Sequence, residues 1–137
     1  MSIFNRTLII DKNFIRFVNN EQFPPPRVNF SQENEEPEAS EIISLFETQV
    51  LSRHIDIKSR FLKDEENCYY TIGSSGHEGN AVFGKIFPYT DLAFLHYRSS
   101  AFFIERSKQI CGTTPIYDLG LSFVASSDDP ISGGRHK

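Results

Sequence analysis

The chain has 137 residues, a length typical of one domain, and 39% of them are hydrophobic, which is enough for an apolar core. This content excludes a wholly disordered chain. The formal net charge of −4 and the lack of a Lys/Arg cluster exclude a general nucleic-acid binder, because phosphate backbones are held by clustered cations.

Residues 1–36 form the first segment, which the sequence predicts to be an extended arm and linker. Two short apolar pieces precede three consecutive prolines at 24–26, which favour a polyproline-like backbone, and the remainder is acidic and Asn-rich. The N-terminus is too charged for a signal peptide or membrane span, so we expect a cytoplasmic protein with no membrane partner. The arm is either a loose tail or a strap along a partner.

Residues 37–137 are predicted to form a helical partial domain. From Glu38 to about Lys63, apolar residues recur mostly with the i, i+3, i+4, i+7 spacing of an amphipathic helix, and Pro37 suits its first position. A connector over 64–75 follows, with one short extended piece at 68–72. No βαβ alternation is present, so the fold class is mainly α.

Three shorter helices are expected after the connector. They cover residues 76–87, Tyr97 or Ser99 to Cys111, and Pro115 to about Val124, with a loop as the tail. Glycines 76, 79 and 84 of the first would let another backbone approach closely. Candidate core positions of the second are Ala101, Phe102, Ile104 and Ile110.

Few motifs for catalysis or metal binding occur. Gly76-His77-Glu78 suggests an acid–base pair, but Glu78 also suits the first turn of a helix, which we prefer without a partner motif. The histidines lack HxxxH or HxH spacing, and Cys68 and Cys111 form no CxxC pair, so no metal site is predicted. Nucleophile elbow, Walker A and GxGxxG motifs are absent from the sequence.

Tyr97 and Arg98 stand where an apolar approach gives way to a helical pattern. A helix start offers unpaired backbone amides and partial positive charge, which suit an anion. Arginine adds a planar guanidinium that binds phosphate oxygens in pairs, and tyrosine adds a hydroxyl donor. The pair is therefore a candidate anion site, although an arginine at a helix start is commonly solvated.

Several motifs in fixed order give these residues a context. The chain resembles, over about residues 40–137, the N-terminal part of the α chain of thiamin-diphosphate-dependent 2-oxo acid dehydrogenases. The aromatic pair before the Gly-x-Glu is similar to the branched-chain (2-oxoisovalerate) type. The matching stretches are Arg53 to Arg60, Tyr69-Tyr70, Gly76-His77-Glu78-Gly79, Asp91, Tyr97-Arg98 and the GGR at 133–135.

The resemblance implies a site and a reaction. Tyr97 and Arg98 would hold the diphosphate of thiamin diphosphate, with His96 beside them. The family decarboxylates a 2-oxo acid and acylates a lipoyl group, so the implied partners are the remaining α/β portions of the enzyme and a lipoyl-bearing acyltransferase. A homo-oligomer is also expected.

The departures from the family pattern define what this chain lacks. The family binds Mg²⁺ through a GDG…N motif, and no GDG occurs here. The histidine of the active-site loop and the glutamate that activates the cofactor ring would also lie outside this chain. We therefore expect a helical N-terminal portion of a thiamin-diphosphate-binding α/β fold, largely without its sheet core and inactive alone. The alternative is a small helical protein–protein interaction module without catalysis.

Overall fold

The protein is mainly helical in a computed structural model that describes residues 6–21, 37–68 and 73–135. These ranges contain five α-helices, one 3₁₀ turn and no β-strand, which confirms the predicted mainly α class. The chain divides into two compact units, Met1–Glu36 and Pro37–Lys137. The expected relation to a thiamin-diphosphate-binding α/β fold stays a prediction.

The first unit contains helix α1, which spans Arg6–Asn20. A helix differs from the extended arm expected here. It satisfies the backbone hydrogen bonds of this short segment internally, whereas an extended arm needs a partner or water for each of them. Its apolar side chains remain largely in solvent, with Leu8 52% and Ile10 45% exposed. The proline run at 24–26 lies outside the described residues.

Helix α2 spans Ala39–Asp64 and, at 26 residues, is about 39 Å long. Its position confirms the predicted helix over 38–63, but its buried side is polar, whereas Ile43 is 57% and Phe61 52% exposed. The buried residues recur at helical spacing and line one face. They are Thr48, Ser52, Arg53, Asp56 and Ser59.

The predicted helix over 76–87 is a 3₁₀ turn over Glu78–Asn80 followed by helix α3 over Ala81–Ile86. Gly84 of α3 confirms the expected close approach of another backbone. A Cβ at this position would lie 2.6 Å from the carbonyl oxygen of Phe102. Gly76 and Gly79 have no such neighbour within 4 Å.

Helix α4 spans Ser100–Ser107 and is shorter than the helix predicted to end at Cys111. Ala101 and Ile104 are buried, as predicted, with exposures of 0% and 2%. Ile110 lies beyond the helix and is 44% exposed, so its prediction as a core residue was wrong.

Helix α5 spans Pro115–Phe123, with its proline in the first turn as predicted. The following turns are held by Asp129, which accepts hydrogen bonds from the Ser132 hydroxyl and the Ile131 amide. Burial would raise the pKa of Asp129, but these bonds and one from the Ser132 amide outweigh it and lower the pKa. Gly134 packs closely here, since its Cβ would lie 2.7 Å from the Ala125 carbonyl.

The apolar core of the second unit is small. Its buried hydrophobic residues within 37–68 and 73–135 are Cys68, Ala81, Ala101 and Ile104. Many large apolar side chains of the second unit are exposed, and Leu92 and Phe94 are 94% and 98% exposed. None of the described helices combines the length and apolar composition needed to cross a bilayer.

Candidate functional site

Residues 73–78 form a turn, the 73–78 turn, which is hydrogen-bonded to the buried Asp56 carboxylate of α2. Asp56 Oδ2 accepts a hydrogen bond from the Ser74 amide at 2.7 Å and another from the Ser74 hydroxyl at 3.0 Å. A Cβ on Gly73 would lie 2.7 Å from the same oxygen. A side chain at this position would displace the Asp56 carboxylate, so glycine favours the close contact.

A chain of serine hydroxyls joins the 73–78 turn to α4. Ser52 Oγ lies 2.9 Å from Ser74 Oγ and 2.6 Å from Ser100 Oγ, the side chain of the first residue of α4. Ser52 and Asp56 are four residues apart and so share one face of α2. This face holds both the turn and the start of α4.

The far end of the 73–78 turn is held by Glu78. Its Oε2 accepts a hydrogen bond from the Gly76 amide at 2.8 Å, and its Oε1 lies 3.7 Å from Nη1 of buried Arg53. The same Nη1 is 3.7 Å from Asp56 Oδ2. Glu78 is the first residue of the 3₁₀ turn, and these contacts favour the structural interpretation of Gly76-His77-Glu78 over the acid–base one.

Asp56 has an electrostatic environment in which opposing effects act. Burial raises the pKa of its carboxyl group above the ordinary value of 3.8, while the hydrogen bonds from Ser74 and the charges of Arg53 and Arg60 lower it. The net pKa is raised. The carboxylate is thus held at the cost of desolvation, which its donors and cations offset in part.

A second buried carboxylate, that of Glu105 in α4, contacts the same face of α2 nearer its N-terminus. Thr48 Oγ1 donates to Glu105 Oε2 at 2.5 Å, and Lys108 Nζ lies 2.8 Å from the same oxygen. Lys108 also donates to the Ser44 hydroxyl at 2.9 Å. These contacts join α2 to α4 through polar side chains.

Tyr97 and Arg98 lie in the turn before α4, since the helix begins at Ser100. Ser100 and Ala101 are 8% and 0% exposed, so the first residues of α4 are buried. An anion at this place would meet the side chains of the preceding turn rather than an open helix start. The expectation that an anion would bind at an open helix start therefore does not apply to Tyr97 and Arg98.

The three residues predicted to bind the cofactor form one cluster. Arg98 is half-buried, and its Nη1 donates to the Gly73 carbonyl at 3.0 Å, which ties it to the 73–78 turn. Its Cζ lies 5.4 Å from the centre of the Tyr97 ring, and Tyr97 is 57% exposed. The His96 ring is 5.7 Å from the Tyr97 ring.

His96 has one ring nitrogen engaged, because its Nδ1 accepts a hydrogen bond from the Arg98 amide at 3.0 Å. In the neutral ring, a nitrogen that accepts carries no proton, so the proton lies on Nε2 and makes it a donor. The Arg98 guanidinium has five N–H donors in all. The cluster is consequently rich in donors suited to an oxyanion.

The sequence did not predict two features of this region. The His77 ring lies 5.5 Å from the His96 ring, which adds a second imidazole beside the cluster. The hydrogen bonds among Ser52, Asp56, Ser74 and Ser100 were also missed. Polar residues four apart on one face of α2 were the available signal.

Asp91, another residue of the resemblance, is exposed, and its backbone carbonyl accepts a hydrogen bond from Arg106. Arg106 also donates to the Pro88 carbonyl at 2.6 Å. The segment borders an open cavity of about 600 Å³. Its lining residues are Phe87, Thr90, Asp91, Leu92, Ala93, Phe102 and Arg106.

Within the described residues, no group of three His, Cys, Asp or Glu side chains is arranged to hold a metal ion. The second unit is mainly helical, and its cluster of His96, Tyr97 and Arg98 lies beside the 73–78 turn. Hydrogen bonds from that turn to the polar face of α2 support the cluster. In comparisons with protein-family models, curated proteins and solved structures, nothing matches the chain.

Proposed function

We propose that this chain is the N-terminal, diphosphate-holding part of a thiamin-diphosphate-dependent 2-oxo acid dehydrogenase of the branched-chain (2-oxoisovalerate) type. The observation that carries the proposal is the cluster of His96, Tyr97 and Arg98, fixed to the 73–78 turn through the Gly73 carbonyl. That turn includes Gly76-His77-Glu78 of the Gly-His-Glu-Gly stretch, one of the stretches that carry the family resemblance.

The donor set suits the cofactor's diphosphate. A diphosphate carries several anionic oxygens, which are best satisfied by a planar guanidinium and further N–H or O–H donors. Arg98 supplies the guanidinium, Tyr97 a phenolic hydroxyl, and His96 an Nε2–H in its neutral form. Tyr97 is more than half exposed, so a ligand can reach the cluster.

In the proposed enzyme, bound thiamin diphosphate supplies the carbanion chemistry that decarboxylates the 2-oxo acid. The residues of this chain bind and orient its diphosphate. The remaining α/β portions supply the Mg²⁺ ligands and the acid–base groups, and a lipoyl-bearing acyltransferase takes the acyl group. We also propose a homo-oligomer and a cytoplasmic location.

The direct test of this function is cofactor binding. Calorimetric titration of the chain with thiamin diphosphate and Mg²⁺ should show saturable binding, and Arg98→Ala should weaken it about tenfold or more, because charge-assisted bonds are lost. Arg16→Ala is the matched control, since Arg16 is an exposed residue of α1 that bonds to Asn13. Unchanged affinity in Arg98→Ala would remove Arg98 from the site.

A second test concerns the reaction. The whole enzyme containing this chain should reduce a dye acceptor when given a branched-chain 2-oxo acid, thiamin diphosphate and Mg²⁺. Absence of cofactor-dependent reduction with several 2-oxo acids would contradict the proposal at the level of chemistry.

The second candidate function is a helical protein–protein interaction module. It is favoured by the nearly complete exposure of Leu92 and Phe94 in the segment between α3 and α4. Sedimentation over a concentration series should then show self-association that Leu92→Ser/Phe94→Ser abolishes. A compact monomer at every concentration would count against this candidate.

A further inference from the structure

A buried carboxylate, that of Asp56, is linked to Arg98 through the backbone of the 73–78 turn. Asp56 Oδ2 takes two hydrogen bonds from Ser74, and the preceding residue, Gly73, offers its carbonyl to Arg98 Nη1 at 3.0 Å. We propose that Asp56 is a positioning residue, which through the 73–78 turn sets the Arg98 guanidinium for the diphosphate. The ligand in this inference rests on the proposed function, whereas the positioning can be measured without it.

Asp56 fixes a peptide unit as well as a side chain. Its oxygen binds both the amide and the hydroxyl of Ser74, so the orientation of that residue is determined twice. The amide of Ser74 and the carbonyl of Gly73 belong to one planar peptide unit. Holding the amide on Asp56 therefore aims the carbonyl, and the carbonyl is the acceptor for Arg98.

Little space separates the Asp56 carboxylate from the backbone of the 73–78 turn. A Cβ on Gly73 would lie 2.7 Å from Asp56 Oδ2 and 3.2 Å from Arg60 Nη1. The backbone thus rests directly on the carboxylate. A shift of either group moves the other, and the Gly73 carbonyl with it.

The same polar face of α2 also holds the start of α4, which follows Arg98 in the chain. Ser52, one turn before Asp56 on α2, lies 2.6 Å from the Ser100 hydroxyl at the start of α4. Arg98 is two residues before Ser100, so its backbone is held at α4 while its guanidinium is held at the turn. The His77 amide also bonds to the Ser74 carbonyl at 2.8 Å, which links His77 to the same peptide framework.

The test combines a spectroscopic readout with binding. In ¹⁵N-labelled chain, the side-chain Nε–H signal of Arg98 is assigned by its loss in Arg98→Lys. Asp56→Ala should shift or broaden this signal, and Asp56→Asn should restore it in part, because the amide oxygen still accepts from the Ser74 amide. Affinity for thiamin diphosphate with Mg²⁺, and for inorganic pyrophosphate, should fall about tenfold in Asp56→Ala.

Thr48→Val is the matched control. Thr48 is buried on the same face of α2, and its hydroxyl binds Glu105 rather than the 73–78 turn. It should lower stability while leaving the Arg98 signal and both affinities unchanged. A purely structural role of Asp56 would make the two variants alike.

The outcomes separate the two proposals. An unchanged Arg98 signal in folded Asp56→Ala overturns the positioning role, as does unchanged affinity when Arg98→Ala has lost binding. If the unsubstituted chain binds neither ligand, the proposed function fails, and the Arg98 signal alone decides the role of Asp56. If Asp56→Ala does not fold, Asp56→Asn is read in its place, because a neutral amide oxygen is a weaker acceptor for both Ser74 donors than the carboxylate. An Arg98 signal identical to that of the unsubstituted chain would then overturn the proposal.

Discussion

Gly84→Ala tests the packing of α3 against α4. The added Cβ would lie 2.6 Å from the Phe102 carbonyl oxygen and 3.1 Å from both the Arg106 amide nitrogen and Glu105 Cβ. Backbone atoms of a helix cannot yield as a flexible side chain does, so α4 must move by several tenths of an ångström. Such overpacking costs about 1–3 kcal/mol. The higher helix propensity of alanine offsets about 1 kcal/mol of this cost, and we expect a net loss of up to about 2 kcal/mol.

Urea unfolding followed by circular dichroism at 222 nm measures this change. The matched control is Gly120→Ala in α5, where a Cβ would meet nothing within 4 Å. Because only the propensity term acts there, this variant should be more stable, by up to about 1 kcal/mol. Opposite signs for the two substitutions are the expected result. Equal or greater stability of Gly84→Ala would refute the tight approach of α3 and α4.

Three further changes in stability follow, each measured by urea unfolding. Thr48→Val should destabilise by about 1–2 kcal/mol, since buried Glu105 keeps Lys108 but loses a donor; no loss would contradict a bonded Thr48. The pKa of Asp56 is raised in the folded state, so its contribution to the free energy of unfolding is fully present below pH 3.8 and is lost as the pH rises through the folded pKa. Asp56→Asn should reduce this loss of stability. The sign reverses for Asp129, whose lowered pKa gives stability that is present above pH 3.8 and lost as the pH falls through the folded value. Asp129→Asn should therefore flatten the acid side, and an unaltered pH profile in either variant would count against the stated cause.

The sequence predicted where α2 lies but not which of its faces is buried. Helical spacing of apolar residues locates a helix, and the usual inference is that the apolar face packs inward. Here Ile43 and Phe61 remain exposed while Thr48, Ser52 and Asp56 are buried. This polar face can be buried because its side chains form hydrogen bonds with polar groups of other segments. Those groups lie between 18 and 57 residues away along the chain, so no local pattern indicates them.

The candidate site was predictable only in its local part. Tyr97 and Arg98 stand out in the sequence as neighbours, and their proximity to His96 follows from chain order. The hydrogen bond from Arg98 to the Gly73 carbonyl spans 25 residues, and no periodicity indicates it. The glycine at position 84 was more informative, because a missing side chain in a helix signals a close neighbour, although it did not say that the neighbour is α4.

The central claim is that Arg98 and its neighbours bind the diphosphate of thiamin diphosphate. The most direct measurement is calorimetric titration of the chain with thiamin diphosphate and Mg²⁺, in parallel for Arg98→Ala and the control Arg16→Ala. We predict saturable binding that Arg98→Ala weakens about tenfold or more and Arg16→Ala leaves unchanged. Absence of binding, or equal affinity in all three proteins, would contradict the claim.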